Sequence, residues 1–203
     1  MENFIFPIRL EKELKNFLDY PENIPRVLCF YGAPAQGKTS FAKYFAEQVA
    51  SENIYFDANS HSREDYDSSY VVKQITKIDR TCSLFSENKA FDKCYIIDEW
   101  HDFSAIRQDD FKTPFDTIID EENKRCVKNL VIICLNTDSK NTIKKVLTPA
   151  IYSRCHPVRF EILTSEKNYI IEKTIEKFPE LDPVIIKRSI PDWRVIKRAL
   201  KML

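Results

Sequence analysis

The sequence predicts an α/β fold, a five-stranded parallel sheet flanked by helices with a small helical lid at its C-terminal end, and three observations predict it. Short β-rich apolar runs alternate with stretches of helical periodicity along the chain. Both glycines, Gly32 and Gly37, lie in one loop directly after the first such run. Two later runs end in polar pairs, Asp98-Glu99 and Asn136-Thr137, where the carboxyl ends of parallel strands open onto a crevice. With 203 residues, 43% hydrophobic and 31% charged, the chain suits one core with a small appendage and excludes a large multidomain machine. Its 31 basic and 31 acidic residues cancel, which excludes a polyanion-coating protein and requires any nucleic-acid contact to come from a local patch.

The elements follow in order. Leu10, Leu14, Phe17 and Leu18 have helical spacing, and Pro21, Asn23 and Pro25 break the chain before the first strand, Val27 to Tyr31. After the glycine loop, Phe41, Ala42, Phe45, Ala46 and Val49 mark an amphipathic helix that leads to a second strand at Ile54 to Phe56. A polar helix-and-loop stretch from Ser60 to Lys93 precedes the third strand, Cys94 to Ile97. One helix carrying Ile106, Phe111, Phe115, Ile118 and Ile119 then leads to the fourth, Leu130 to Leu135, and Val158 to Phe160 form the fifth. From Ser165 the pattern is helical through Tyr169, Ile170, Ile175, Phe178, Trp193, Ile196 and Leu200, so residues 1–163 read as the α/β body and 164–203 as the lid. Cys29, Cys82, Cys94, Cys126, Cys134 and Cys155 contain no C-x-x-C pair and are expected to be free thiols, mostly buried. His61, His101 and His156 show no metal-ligand spacing, and the aromatic residues read mostly as core. No apolar run approaches the ~20 residues of a membrane helix, and the expected compartment is the cytoplasm, or the host cytoplasm if the source is viral.

Average glycine usage of about 7% would place on the order of fourteen glycines in such a chain. Retaining two, both in Gly32-Ala33-Pro34-Ala35-Gln36-Gly37-Lys38-Thr39, points to places where backbone without a side chain is needed. That octapeptide fits G-x-x-x-x-G-K-[ST], whose backbone N–H groups wrap nucleotide phosphates ahead of a helix N-terminus. Residues 32 to 40, closing with Ser40, are therefore the candidate ATP cradle, with Lys38 on the β- and γ-phosphates and Thr39 on Mg²⁺. Asp98 is placed as the second metal carboxylate and Glu99 as acceptor of a proton from attacking water. Asn136 is a candidate to orient that water and sense the γ-phosphate. Arg154, in Ser153-Arg154-Cys155, and Arg194, in Asp192-Trp193-Arg194, are candidate phosphate-facing cations. A small P-loop kinase of this length competes but has little use for Glu99 beside the metal-binding Asp98.

These five segments, in this order, resemble the AAA+ ATPases and specifically the clamp-loader subunits, in which they correspond to Walker A, Walker B, sensor 1, the Ser-Arg-Cys motif with its arginine finger, and sensor 2. Ile96-Ile97-Asp98-Glu99-Trp100 and Ile190-Pro191-Asp192-Trp193-Arg194 are similar to the large clamp-loader subunits of T-even-type bacteriophages. The resemblance spans about residues 24 to 200. It implies that Arg154 acts in trans on ATP held by a neighbouring subunit, so that the active form is an oligomer of AAA+ or clamp-loader subunits. It further implies partners in a sliding clamp and primer-template DNA, with ATP binding opening the clamp and DNA-triggered hydrolysis releasing both. By the same resemblance Asn59, or Ala58 in another register, would hold Glu99 inactive until DNA arrives. Ala33, Ala35 and Gln36 replace the family's Pro, Gly and Thr; Ala35 is expected to resist positive φ, with modest nucleotide affinity as the result. The family's C-terminal collar domain has no counterpart before Leu203. Lys73, Lys77 and Arg80, with Arg107 and Lys112, are local candidates for DNA phosphates and read better as solvated faces. Two other functions fit the same core: a helicase loader or replication initiator, and an ATP-gated scaffold subunit that hardly hydrolyses.

Overall fold

The computed structural model describes residues 4–59, 68–76, 89–120, 128–137 and 142–202. His61, Lys77, Arg80, Cys82, Cys126 and most of the stretch from Ser60 to Lys93 lie outside the described residues. Five strands, β1 (Val27–Gly32), β2 (Ala50–Asp57), β3 (Phe91–Asp98), β4 (Asn129–Asn136) and β5 (His156–Arg159), form one parallel sheet in the order β2-β3-β4-β1-β5. The chain leaves β1 toward β2 at one edge and later returns past β1 to β5 at the other. The carboxyl end of β1 is thus the switch point where α/β sheets open a binding crevice, and the glycine loop lies there.

β1, β3 and β4 read as almost unbroken apolar runs because helices cover both faces of the sheet. Leu28, Phe30, Cys94, Ile96, Leu130, Ile132 and Cys134 point to one face, under α1 (Ile8–Asp19) and α2 (Lys38–Val49). Phe30, Phe41, Phe45 and Phe160 fill that layer, with the Phe30 and Phe160 ring centroids 4.9 Å apart. The alternate residues Val27, Cys29, Tyr95, Ile97, Val131, Ile133 and Leu135 face the other layer, formed with α3 (Ser68–Thr76), α4 (Ala105–Asp109) and α5 (Lys112–Asp120). Cys29, Cys94, Cys134 and Cys155 are buried free thiols.

The single helix expected through Ile106 and Ile119 is two helices, α4 and α5, broken around Asp110-Phe111. Two features break it. Pro114 lacks an N–H and is accommodated only in the first turn of a helix, which makes Lys112 a start. Buried Gln108 donates from Nε2 to the carbonyls of Phe103 at 3.2 Å and Val146 at 3.0 Å, pinning α4 toward α6 (Ile143–Val146). The short α7 (Pro149–Tyr152) precedes β5.

α8 (Lys167–Lys177), α9 (Pro183–Ser189) and α10 (Trp193–Leu200) bury Ile170, Leu181, Ile186, Ile190 and Ile196 among themselves. Asp182 and Asp192 cap α9 and α10, accepting from Val184 N–H at 2.7 Å and Arg194 N–H at 2.9 Å. Among the described residues no helix is long and apolar enough to cross a membrane.

Candidate active site

The loop between β1 and α2 needs its two glycines for different reasons. A Cβ on Gly32, at φ 148°, would lie 2.9 Å from the backbone nitrogen of Glu161, so this position is set by close approach. Gly37, at φ 82°, has open space around it and caps α2 in the left-handed conformation that glycine adopts without strain. Ala35 also takes a left-handed φ of 63°, the conformation that its Cβ makes costly. That conformation costs roughly 1–2 kcal/mol, and the C-terminal helices help hold it, since Trp193 N–H donates to the Ala35 carbonyl at 3.3 Å.

Lys38 opens α2 with only 6% of its surface exposed. Its Nζ donates to the carbonyls of Gly32 at 3.0 Å and Ala33 at 2.7 Å. Burial pulls its pKa down to about 8, opposed by negative charge on neighbours that include Glu99 and Asp98. A buried ammonium with only carbonyl dipoles around its tip favours an anionic ligand.

Asp98, at the end of β3 and 7% exposed, accepts from Thr39 Oγ1 at 3.0 Å and Glu99 N–H at 3.0 Å on Oδ1, and from the Tyr55 hydroxyl at 2.8 Å on Oδ2. All three donors are neutral, so a cation beside this buried carboxylate would be stabilising. Touching hydroxyl and carboxylate oxygens form a hard donor set that fits Mg²⁺, which takes few protein ligands and relies on phosphate and water for the rest. Burial and the bond to Asp98 raise the Tyr55 phenol far above its ordinary value, so it stays a donor. Lys43 lies 3.8 Å above its ring.

Glu99 follows in a left-handed conformation, φ 51°, that turns its side chain toward the end of β4. There Asn136 Nδ2 donates to Glu99 Oε2 at 2.8 Å, and His101 Nε2 lies 3.5 Å from the same oxygen. Burial, then the adjacent Asp98, raises the Glu99 carboxyl above its usual range and makes it a better proton acceptor. The backbone N–H of Asn59 donates to Asp57 Oδ1 at 3.0 Å, at the end of β2. The amide that holds Glu99 in this structure belongs to Asn136.

Lys38, Thr39, Ser40, Asp98, Glu99, Asn136 and Arg194 line one cavity of about 240 Å³, together with Ala35, Gln36, Gly37, Trp193 and Lys197. Larger clefts of about 690 and 780 Å³ lie between the N-terminal segment and α8 and beside α6, and neither gathers this chemistry. Arg154 lies outside the cavity. Its Nε and one terminal nitrogen bind both Asp116 oxygens at 2.7 Å, and its other terminal nitrogen donates to the Ala150 carbonyl at 2.7 Å. The pairing raises the Arg154 pKa and holds Asp116 below the ordinary carboxylate range. Of the candidate DNA contacts, Lys112 pairs with Asp109 at 2.8 Å and Arg107 is exposed on α4.

Tyr55, His101 and Lys197 belong to this site and were not singled out by the sequence. Lys197 had a readable signal, since it lies one helical turn beyond Arg194. Tyr55 reaches Asp98 from the neighbouring strand, and His101 enters through a turn with no sequence signature.

The family model of the ATPase family associated with various cellular activities (AAA) matches residues 28–161. No curated protein sequence matches the chain. Among solved structures, the RuvB Holliday junction branch migration motor of Thermotoga maritima is similar with a TM-score of 0.55 at 16% identity, over 92% of this chain and 56% of its own. AMPPCP-bound DnaA from Aquifex aeolicus is similar with a TM-score of 0.60 at 17% identity, over 99% of this chain and 63% of its own. PCH-2 of C. elegans has a TM-score of 0.55 at 20% identity, over 88% of this chain and 50% of its own. At these identities the likeness is one of fold, and the chain spans about half to three-fifths of the length of these proteins.

Proposed function

The chain belongs to the AAA family of ATPases, and from that premise we propose that it hydrolyses ATP as one subunit of a clamp-loader-like assembly in DNA replication. One observation carries the hydrolase reading: Lys38, Thr39, Asp98, Glu99 and Asn136 converge on one cavity at the carboxyl ends of β1, β3 and β4. Lys38 neutralises charge on the β- and γ-phosphates, and Asn136 and Glu99 orient a water in line with the γ-phosphorus. Glu99 accepts the water's proton as the oxygen attacks, and the bond to ADP breaks. Thr39 and Asp98 would hold Mg²⁺, which supplies positive charge against the phosphate oxygens. Arg194 closes over the phosphates from residues 164–203, which act as the lid.

Arg154 cannot serve its own cavity while bound to Asp116, and its placement supports a role in a neighbour's site, as an arginine supplied in trans. The clamp-loader assignment rests on the ordered resemblance of the five segments. A second reading, replication initiator or helicase loader, is favoured by the likeness to DnaA, which extends over 99% of this chain and so includes the C-terminal helices. A scaffold that hardly hydrolyses fits poorly with a complete set of Lys38, Asp98 and Glu99.

The test is steady-state ATP hydrolysis across protein concentrations, with and without primer-template DNA and a sliding clamp. A rate per subunit that rises with concentration, and again with primed DNA and clamp, supports the clamp-loader reading. Stimulation by single-stranded DNA or a helicase with indifference to the clamp supports the second reading. A flat, negligible rate under all conditions overturns both.

A further inference from the structure

Directly after Glu99 the chain makes one 3-10 turn, Trp100–Asp102, closed by Asp102 N–H on the Glu99 carbonyl at 2.9 Å and Phe103 N–H on the Trp100 carbonyl at 3.1 Å. Trp100 anchors it. The indole is fully buried and packs on Phe111 at 4.8 Å and edge-on to Phe103 at 5.3 Å, so the turn moves only if the core opens. The next residue, His101, is thereby carried over the carboxyl end of β4.

Its ring stands between two groups of the site. Asn136 N–H points at Nδ1 at 3.4 Å, and Nε2 lies 3.5 Å from Glu99 Oε2. A ring nitrogen that accepts an N–H presents its lone pair there, so the proton of the neutral imidazole resides on Nε2 and faces the carboxylate. Asn136 Nδ2 reaches the same Oε2 at 2.8 Å. Asp102 Oδ1, 4.0 Å from Nε2, is the more distant acceptor. The Nε2–Oε2 approach is longer than a formed hydrogen bond, as catalytic hydrogen bonds are before substrate arrives and tightens them.

We infer that His101 is a positioning residue for Glu99, holding Oε2 together with Asn136 so that Oε1 is presented to the attacking water. The inference rests on the reading of Glu99 as the proton acceptor. With the Asn136 amide bonded to Oε2 and the ring nitrogen closing on the same oxygen, rotation of the carboxylate is restricted and Oε1 is left to take the proton. Glu99 also sits in a left-handed backbone conformation, the kind of strained position that occurs at functional sites. The imidazole also ties Glu99 to the backbone of β4's last residue, so displacement of Asn136 by the γ-phosphate reaches the carboxylate by two routes, its own amide and the ring.

The test compares His101→Phe, which keeps the ring and removes both nitrogens, with His101→Gln, which keeps a donor able to reach Glu99. His101→Ala serves if the Phe variant does not fold, as judged by its thermal midpoint. The expected result is a kcat lowered on the order of tenfold in His101→Phe, with KM for ATP and affinity for AMPPCP within about twofold of wild type. His101→Gln recovers most of the loss. Under single-turnover conditions, adding His101→Phe to Glu99→Gln produces no further loss, because the ring acts through the carboxylate. A wild-type kcat in His101→Phe, a change confined to KM, failure of His101→Gln to recover activity, or an undiminished further loss in the Glu99→Gln background overturns the inference. A wild-type chain that does not turn over ATP overturns the hydrolase reading and this inference with it. An active wild type and an inactive Glu99→Gln beside an unaffected His101→Phe overturn only the role of His101.

Discussion

Lys38 and Arg154 are both cations of the proposed reaction, and the molecule holds them in opposite ways. Lys38 is buried, bonded to carbonyl dipoles, with its pKa held down to about 8. The Arg154 side chain is 25% exposed and bound in fork geometry to Asp116, itself 48% exposed. A desolvated ammonium without a carboxylate partner is poised for phosphate brought into its own cavity. A guanidinium oriented by an exposed acid is aimed without leaving water, which suits a group that meets its substrate only when another surface arrives. Charge alone therefore does not identify a catalytic cation; the partner that holds it tells which phosphate it serves.

The sharpest way to break this comparison is Arg154→Ala, expected to lower turnover in the assembled protein by about a thousandfold. Mixing it with Lys38→Ala should restore part of the rate, since each chain supplies what the other lacks. Continued inactivity of verified mixed oligomers would place Arg154 outside the reaction. The next largest effect is expected in Glu99→Gln, a loss of at least about a hundredfold in kcat, with ATP binding retained in equilibrium titration.

The contrast is sharpened by pH. Above about 8 the ligand-free protein has lost the Lys38 proton that phosphate binding needs, so ATP affinity should fall by up to tenfold for each further pH unit. The Lys38 contribution to the stability of the ligand-free protein should move the other way. The unfolded lysine, with its ordinary value of 10.5, binds the proton more tightly than the folded one, so this contribution to stability rises with pH between about 8 and 10.5. Calorimetric titration of AMPPCP and thermal melts across pH 7 to 10 separate the two slopes. Lys38→Met should remove this rising contribution and leave the opposing one of buried Cys29, Cys94 and Cys134, whose raised thiol pKa values cost stability as pH climbs past the ordinary value of 9.

Tyr55→Phe removes one hydrogen bond to Asp98, worth about 1 kcal/mol, and should raise the Mg²⁺ concentration for half-maximal rate by roughly fivefold at the same maximal rate. The smallest effect is expected from Asp116→Asn. An exposed pair contributes at most about 1 kcal/mol, so turnover should fall by less than about fivefold while the thermal midpoint stays put. A loss as large as that of Arg154→Ala would show that Asp116 does more than aim the guanidinium.

The body of the fold was legible because β1, β3 and β4 are buried on both faces and so write themselves as apolar runs. The nucleotide loop was legible because its residues are contiguous, and Gly32 and Gly37 stand where the backbone demands them. The division between α4 and α5 was hidden because Ile106 was read with Phe111, Phe115 and Ile118, yet Ile106 on α4 is exposed and the buried period begins at the break, where Pro114 marks a new first turn. At Ala35 local propensity gave the cost of a positive φ but not that it would be adopted: Trp193, far along the chain, bonds its carbonyl and helps hold the left-handed conformation. Asn136 was read as a sensor of the γ-phosphate, and its bond to Glu99 appeared only once β3 and β4 were paired.

By itself the sequence determined the α/β alternation, the phosphate loop and the identity of Lys38, Thr39, Asp98, Glu99 and Asn136 as one chemical set, because these depend on local periodicity and on residues placed at strand ends. Only the tertiary structure decided which groups hold them. Tyr55 meets Asp98 across neighbouring strands, His101 meets Glu99 through a turn anchored by buried Trp100, and Asp116 meets Arg154 from another helix. Hydrogen bonds and charge pairs act over a few ångströms in space, and the sequence separation of the partners carries no trace of that distance until packing brings them together.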